Sequence, residues 1–233
     1  MKKQHFLSLC GWLVVLIVPA CILYAMVNYV IPASVTVPES EHQLILDAGH
    51  GGEDGGAVSL NGVPESQINL AIVMKMDDIL NFYGVSPILL RREDISLHDA
   101  EAKTIREKKV SDLKNRVSAI QSGDGATLIS IHQNTYPTGE VRGLQSFYAP
   151  TDGSEELAQS IQSAVKNTIQ QNNGRRAKQI PKSVYLMNHI SCRAVLVECG
   201  FLTNPEEEKM LQSDAYQRKL AAVLSATWLE VEQ

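Results

Sequence analysis

This chain has no excess of positive charge, which makes a nucleic acid an unexpected partner. The 233 residues contain 21 lysines and arginines against 26 aspartates and glutamates, a formal net charge of −5. Proteins that bind nucleic acids usually carry a basic patch, so the sequence gives no reason to expect a nucleic acid as partner. The chain also has no internal repeat and no low-complexity tract, and its 44% of hydrophobic residues is ordinary for a folded protein.

Cysteine is also scarce, with four in the whole chain. Cys10 and Cys21 lie in an apolar N-terminal stretch, while Cys192 and Cys199 are too few and wrongly spaced for a structural zinc site. If the domain is exported, this second pair could form one disulfide. The alternative is two free, buried thiols, and the sequence does not decide between them.

The N-terminal stretch lacks acidic and basic residues altogether between positions 6 and 30, after Lys2 and Lys3. Twenty-five helical residues reach roughly 37 Å, enough to cross a hydrocarbon core of about 30 Å with some tilt. The two lysines favour a cytoplasmic N-terminus and an exported remainder. We therefore predict a membrane-spanning anchor over residues 1–30. A cleaved signal peptide and a lipoprotein site at Cys21 are the alternatives.

The rest of the chain has the pattern of one α/β domain. Residues 31–41 contain two prolines and are predicted to form a linker, which leaves residues 42–233 for the domain. Short β-branched runs alternate there with longer amphipathic runs, which is typical of a sheet covered by helices. We predict a single domain with a roughly six-stranded, mostly parallel or mixed sheet and helices on both faces. The predicted strands are 43–48, 85–90, 126–132, 144–149, 183–187 and 194–199, and the predicted helices are 66–82, 111–121, 154–171, 205–212 and 214–231.

A glycine-rich segment, residues 47–56, follows the first predicted strand and contains five glycines. Glycines let the backbone approach a ligand closely. A phosphate loop is one interpretation, but the segment has neither a Gly-Lys-Ser/Thr ending nor a G-x-G-x-x-G pattern. Its acidic residues, Glu53 and Asp54, would also repel phosphate. A histidine on such a turn suits a metal ion better, although His50 could also be an ordinary loop histidine.

Polar residues with metal-binding side chains stand near the ends of other predicted elements. His132 closes the strand 126–132, Glu198 follows the run 194–197, and Glu65 precedes the first helix. Ligands of an open α/β sheet bind at the carboxyl ends of its strands, so we expect these residues to meet His50 there. Two histidines, a glutamate and a further carboxylate are the groups of a catalytic zinc hydrolase site. The alternative for Glu65 is a plain helix N-terminal acid.

Glu198 is the most informative of these residues, because it follows three apolar residues that should be buried. An unpaired buried carboxylate is costly, so some partner must exist. A cation at the same edge of the sheet would supply one. The alternative is a salt bridge to Arg193, Arg142 or another arginine.

Taken together, these motifs resemble a known family. Asp-Ala-Gly-His-Gly-Gly at 47–52, Glu65, Ser-Ile-His-Gln-Asn at 130–134 and Val-Glu-Cys-Gly-Phe-Leu-Thr-Asn at 197–204 look like the zinc-dependent N-acetylmuramoyl-L-alanine amidases of type 3. The resemblance covers about 43–231, and the stretch 104–116 is similar to the sporulation and germination branch of that family. One departure is Arg193, where the family often has proline before the last strand.

The resemblance implies a catalytic site with one zinc ion. His50, Glu65 and His132 would be the zinc ligands, and Glu198 the catalytic carboxylate. Glu198 would take a proton from the attacking water and return it to the departing L-alanine nitrogen. Further candidates for contacts with the substrate, with less support, are Asn134, His189 and Arg193.

We therefore expect the chain to hydrolyse the amide bond between N-acetylmuramic acid and L-alanine in peptidoglycan. By analogy with the branch, the wall would be spore cortex, where bared muramic acid becomes muramic lactam, and the enzyme would serve germination. The alternatives are a zinc peptidase acting within the stem peptide and an inactive wall-binding or activator module. The domain would act outside the cytoplasm, anchored to the membrane by its N-terminal helix. The sequence does not decide whether a protein activator is needed.

Overall fold

A computed structural model of the chain describes residues 43–121 and 125–232. The predicted anchor at 1–30 and the predicted linker at 31–41 lie outside these residues. Within the described ranges, no helix has both the length and the apolar character that a membrane crossing requires. The domain follows the order of strands and helices expected of an α/β protein. Its elements are β1 Leu44–Ala48, α1 Glu65–Phe82, β2 Ile88–Leu89, α2 Ile105–Gln121, β3 Thr127–Asn134, β4 Gln145–Tyr148, α3 Ser154–Thr168, β5 Lys178–Gln179, α4 Tyr185–Asn188, β6 Arg193–Phe201, α5 Pro205–Leu211 and α6 Asp214–Val231.

The strands form one six-stranded sheet in the order β2-β1-β3-β6-β4-β5. Strands β2, β1, β3 and β6 are parallel to one another, and β4 pairs with β6 in the antiparallel direction. The predicted mixed, mostly parallel sheet is therefore confirmed. The carboxyl ends of β1, β3 and β6 meet at one edge, which is the edge where such sheets bind ligands.

Both faces of the sheet are covered by helices. Successive side chains of a strand point to opposite faces, so the apolar runs of the central strands present apolar side chains on both faces. On one face, Ile129 and Ile131 pack in a cluster with residues of α1, α3 and α6, among them the fully buried Trp228. On the other face, Leu128 packs in a second cluster with residues of α2 and α4. The predicted placement of helices on both faces is confirmed.

The two cysteines of the domain are both free, so the disulfide interpretation is wrong. Cys199 is buried in the cluster with α1, α3 and α6, whereas Cys192 packs against the cluster on the opposite face. Since the sheet separates the two thiols, no disulfide bridges them.

Several predicted elements differ from the structure, and the predicted strand 85–90 is reduced to the two residues of β2, Ile88–Leu89. The predicted strand 183–187 is wrong, since Tyr185–Asn188 forms the short helix α4, and the two-residue strand β5 precedes it instead. A short apolar run does not distinguish a strand from a buried helical turn. Leu186 and Met187 are buried by turning onto the sheet from α4. The exposed pair in β5 has no apolar pattern to signal it.

Helix α2 begins six residues earlier than the sequence pattern predicted. Thr104 accepts a hydrogen bond from the backbone nitrogen of Glu107, while the Glu107 carboxylate accepts one from the backbone nitrogen of Thr104 (2.9 Å). This reciprocal arrangement is a capping box, which satisfies two backbone donors at a helix start. The capping box explains why the helix begins in a charged stretch that lacks an apolar stripe.

Candidate active site

The turn after β1 carries the first candidate ligand, His50. The neighbouring Gly49 passes so close to His132 that a Cβ atom at Gly49 would lie 2.2 Å from the imidazole ring. His50 itself has a positive φ of 61°, a conformation that costs energy for a residue with a side chain. Such a conformation persists only where the surroundings hold it in place.

Two buried arginines hold this turn through its carbonyl groups. Arg91 donates from Nε to the carbonyl oxygen of Ala48 (2.8 Å) and from Nη2 to that of Gly49 (3.2 Å). Arg116 donates from Nη2 to the carbonyl oxygen of His50 (2.8 Å). The two guanidinium groups therefore fix the backbone of the turn through its carbonyl oxygens, and the imidazole of His50 stays free of these contacts.

Glu65, the first residue of α1, lies between the two histidines. Its Oε1 is 3.0 Å from Nε2 of His50 and 3.1 Å from Nδ1 of His132. The backbone nitrogen of Ala57 donates to its other oxygen, and Asn69 donates to Oε1. The side chain is only 4% exposed. The alternative of a plain helix N-terminal acid is wrong, because such an acid points into solvent and Glu65 points into the cluster.

These three residues form a group that fits a metal ion. One ligand atom from each of His50, Glu65 and His132 lies within 4.8 Å of the others. Two imidazole nitrogens and one carboxylate oxygen are a ligand set of catalytic zinc sites, which keep a fourth position open. The structure therefore brings together the three residues that the sequence predicted as ligands.

The charges in this cluster are strongly coupled. Burial alone would lower the pKa of His50, but hydrogen bonds to Asp54 and Glu65 outweigh it and raise the pKa to about 9. Burial would raise the pKa of Glu65, yet hydrogen bonds from His132 and His50 lower it to about 2. In the metal-free protein at neutral pH, a proton on His50 therefore takes the place that a cation would take.

Glu198 stands beside the cluster on the neighbouring strand. It is the register partner of His132 in the parallel β3–β6 pair, so the two side chains leave the same face of the sheet. Its Oε2 is buried and has no hydrogen-bond partner among the described residues. Burial raises the pKa of Glu198 to about 7, with the carboxylate of Glu65 adding to the shift and His132 opposing it.

The predicted alternative for Glu198, a salt bridge to an arginine, is not what the structure contains. Arg193 pairs with Glu232, and Arg142 pairs with Glu206 (3.2 Å). Neither arginine is therefore available to Glu198, whose buried oxygen has no partner among the residues that the structure describes.

Asp54 is a site residue that the sequence reasoning treated only as a charge that repels phosphate. Its Oδ2 lies 3.0 Å from Nδ1 of His50, on the ring nitrogen that faces away from Glu65. A carboxylate in that position fixes the ring orientation and keeps Nε2 for a metal. The signal was present in the sequence as an acid four residues after the histidine, inside a glycine-rich turn.

The three residues predicted to contact substrate fall in different places. Asn134 ends β3, two residues beyond His132, and is half-buried at the same edge as the cluster. Arg193 begins β6 opposite Thr127, so five residues, or roughly 17 Å of strand, separate it from Glu198. It donates to the hydroxyl of Thr127 at the opposite edge.

His189 follows α4, also ahead of β6, and its ring stacks on that of Tyr185 at 3.8 Å. The structure therefore does not bring His189 or Arg193 to the cluster, and their predicted contact with substrate is corrected. Residues that precede a parallel strand lie at its amino end, whereas ligands bind at the carboxyl end.

Comparison with known proteins gives a consistent result. A family model described as N-acetylmuramoyl-L-alanine amidase matches residues 44–226. The germination-specific N-acetylmuramoyl-L-alanine amidase of Bacillus subtilis (strain 168) is 35% identical over 188 residues, which are 80% of this chain and 78% of the relative. The structure of the CwlD amidase from Clostridioides difficile, in complex with the GerS lipoprotein, aligns with a TM-score of 0.77 and 36% identity. That alignment covers 81% of this chain and 97% of the relative.

A third comparison involves an amidase that is more distant in sequence. The crystal structure of an N-acetylmuramoyl-L-alanine amidase from Clostridium difficile 630 has a TM-score of 0.69 and 27% identity to this chain. It covers 82% of this chain, and the alignment takes in 96% of that structure. The fold and the sequence thus agree over the whole region that carries the cluster.

Proposed function

The chain belongs to the N-acetylmuramoyl-L-alanine amidase family, and we propose that it acts with one zinc ion held by His50, Glu65 and His132. As an amidase of this family, the enzyme is a hydrolase that acts on peptidoglycan. The single observation that carries the zinc proposal is the convergence of three ligand atoms beside the buried, unpartnered oxygen of Glu198. A zinc ion held there would supply a Lewis acid for the reaction.

Glu198 is proposed as the proton carrier of the reaction. In its ionised form it accepts a proton from the attacking water, and it then donates that proton to the L-alanine nitrogen as the amide bond breaks. In the metal-free protein, burial raises the pKa of this carboxyl group to about 7. A cation held by His50, Glu65 and His132 would favour the ionised form of Glu198, which is the form that accepts the proton.

The surrounding residues hold the reacting groups in place. Asp54 and Asn69 contact His50 and Glu65, and Gln133 donates in turn to Asn69 (3.1 Å). Such contacts orient metal ligands and raise their affinity for the ion. Asn134 remains a predicted substrate contact because of its place at the same edge.

We also propose the cellular setting of the reaction. An amidase of the cell wall acts outside the cytoplasm, and an anchor at 1–30 with a linker at 31–41 would tether the domain 42–233 to the membrane. The germination-specific name of one relative supports a role in the spore cortex, where removal of stem peptides precedes muramic lactam formation. The lipoprotein bound to CwlD supports a protein partner at the envelope for this chain as well.

Two other functions have less support. A zinc peptidase that cleaves within the stem peptide would use the same ligands, but the family match favours the muramoyl amide. An inactive wall-binding module would be expected to lack one of the groups at the site. Because all four groups are present, the catalytic interpretation is the better supported of the two.

Digestion of purified peptidoglycan tests the proposal directly. The zinc-loaded full chain should release stem peptides with a free L-alanine amino terminus, and mass spectrometry should find muramic acid without peptide. Removal of the metal by a chelator should stop the release, and added zinc should restore it. Products cut inside the stem peptide would instead support the peptidase.

The His50→Ala and His132→Ala variants serve as the matched controls for metal binding. Each should lower both the zinc content and the rate of digestion, because each removes one of three ligands. An unchanged zinc stoichiometry in either variant would contradict its role as a ligand.

A further inference from the structure

A cavity of about 450 Å³ is lined by the segment before β4, the loop after α3 and helix α5. Charged residues that line it are Arg142, Arg175, Glu206 and Glu207. Three of these four have partners within the protein. Arg142 pairs with Glu206, and the carboxylate of Glu207 accepts hydrogen bonds from the backbone nitrogens of Gly143 and Phe201.

Arg175 also has partners, but they use only two of its N–H donors. Its Nε donates to the carbonyl oxygen of Arg142 (2.8 Å), and its Nη1 donates to Oε1 of Gln145 (2.9 Å). No carboxylate lies within ion-pair distance of it among the described residues. Since a guanidinium has five N–H donors and two are used, three remain for a ligand.

The Arg175 guanidinium is held in one orientation. Its central carbon lies 4.6 Å from the centre of the Phe201 ring, so the ring fixes its plane in addition to the two hydrogen bonds. The loop that carries it is fixed as well. The backbone nitrogen of Arg175 donates to the side chain of Asn173, which is buried and donates in turn to the carbonyl oxygen of Leu144. A preordered arginine is the usual device for binding a carboxylate through two parallel hydrogen bonds.

Gln145 connects this arginine to the catalytic centre. It is the register partner of Glu198 in the antiparallel β4–β6 pair, so the two residues are neighbours across the strands. Because Arg175 is hydrogen-bonded to the side chain of Gln145, its guanidinium lies one residue away from the strand position of Glu198. One peptide residue spans at most about 3.6 Å, so a stem peptide that leaves the cleaved bond toward β4 would bring a residue beyond L-alanine to Arg175.

We propose that this cavity binds the stem peptide beyond L-alanine and that Arg175 binds a carboxylate of its second or third residue. The inference rests on the proposed amidase function and assigns to Arg175 a part in substrate selection. A peptide with free carboxylates fits the cavity better than a second, uncharged sugar, because Arg175 keeps three N–H donors for a ligand. Arg175 acts on binding and takes no part in the chemical step.

The test uses two muramoyl tripeptides that differ only in charge. One has free carboxylates on its second and third residues, and in the other the same groups are carboxamides. For the zinc-loaded full chain, kcat/KM should be about ten- to one-hundred-fold higher for the free carboxylates. The Arg175→Gln variant should lose this preference through a raised KM, with kcat within about threefold of the wild type.

Arg176→Gln is the matched control, because it removes the same charge at the next position. Arg176 is exposed and its side chain does not line the cavity. This variant should keep the preference for free carboxylates. Arg175→Lys should keep part of it, since a lysine retains the charge without the paired donors. Thermal unfolding of each variant identifies any that fails to fold, and the lysine variant then still reports on the carboxylate.

Equal rates of cleavage for the two tripeptides by the wild type would overturn the inference and leave the amidase function standing. A preference that persists in Arg175→Gln would also overturn it. If neither tripeptide is cleaved, the proposed function fails and the inference fails with it. Binding of the released tripeptide to the Glu198→Gln variant, measured by calorimetry, provides a readout without catalysis. It should weaken at least tenfold when Arg175 is also changed.

Discussion

Strands β1 and β6 each carry a buried carboxylate, and the two differ in their partners and in the direction of their pKa shifts. Asp47 on β1 is 1% exposed, pairs with Arg116 and accepts a hydrogen bond from Ser130 (2.7 Å). Burial alone would raise its pKa, but the charge of Arg116 holds the pKa below its usual value. Glu198 on β6 has one oxygen without a partner among the described residues, and its pKa rises to about 7.

This difference separates a structural carboxylate from a reactive one. Asp47 keeps its charge because the protein supplies its partners, and through Arg116 it helps to fix the backbone at His50. Glu198 lacks such partners, so its charge depends on what binds beside it. Buried titratable groups with strongly shifted pKa values cluster at functional sites, although structural ion pairs also shift them.

The largest expected effect is on catalysis, in Glu198→Gln. We expect zinc content to stay the same and digestion of peptidoglycan to fall about 10²- to 10⁴-fold, the range of general acid–base catalysis. Metal analysis and the rate of L-alanine release measure the two quantities. Activity within tenfold of the wild type would remove Glu198 from the mechanism.

Asp47→Asn should act on stability instead. Removing one member of a buried ion pair leaves the charge of Arg116 partly uncompensated, which should lower the free energy of unfolding by about 3 kcal/mol. This value is at the lower end of the losses seen for broken buried ion pairs, because Asp112 still pairs with Arg116. Urea denaturation measures the change. Asp214→Asn, at an exposed ion pair with Arg218, is the control and should cost less than about 1 kcal/mol. Equal losses in the two variants would contradict the structural role of Asp47.

Asp54→Asn should have an intermediate effect on metal binding. The loss of the carboxylate that orients His50 should weaken zinc affinity about 10- to 100-fold, with kcat at saturating zinc reduced less than the affinity. Competition with a chromogenic chelator measures the affinity. A variant whose affinity equals that of the wild type would show that the hydrogen bond to His50 does not matter for the metal.

The smallest expected effect is the change in zinc affinity produced by a change of one pH unit. The pKa of His50 is raised to about 9 in the metal-free protein, so the imidazole is protonated below that pH and zinc must displace the proton. Apparent affinity should therefore fall about tenfold per pH unit below 9 and level off above it. Calorimetry in buffers of different ionisation enthalpy should find about one proton released at pH 7. No proton release would contradict the charged state of His50.

Much of the fold could be predicted because its signals are local. Short, continuous apolar runs marked β1, β3 and β6, and the spacing of Ile68, Ile72 and Met76 marked α1, whose buried face they form. Helix α4 could not be predicted in this way, because a four-residue apolar turn takes its shape from the sheet it packs on.

The site divides in the same manner. His50, Glu65, His132 and Glu198 could be placed together because each stands near the carboxyl edge of the sheet. Arg175 could not be found, since its role depends on contacts with Phe201 and Gln145, which lie far from it in sequence. Arg193 lies away from the site because it begins β6, whereas the site lies toward the carboxyl end of that strand.

Anomalous diffraction at the zinc edge from crystals of the zinc-loaded protein tests the central claim most directly. We predict one ion bonded at about 2.0–2.2 Å to Nε2 of His50, Nδ1 of His132 and an oxygen of Glu65. The Glu198 carboxylate should lie beside the ion, within hydrogen-bond reach of the open coordination position. An ion bound elsewhere, or a Glu198 side chain that takes the place of one of these ligands, would contradict the account.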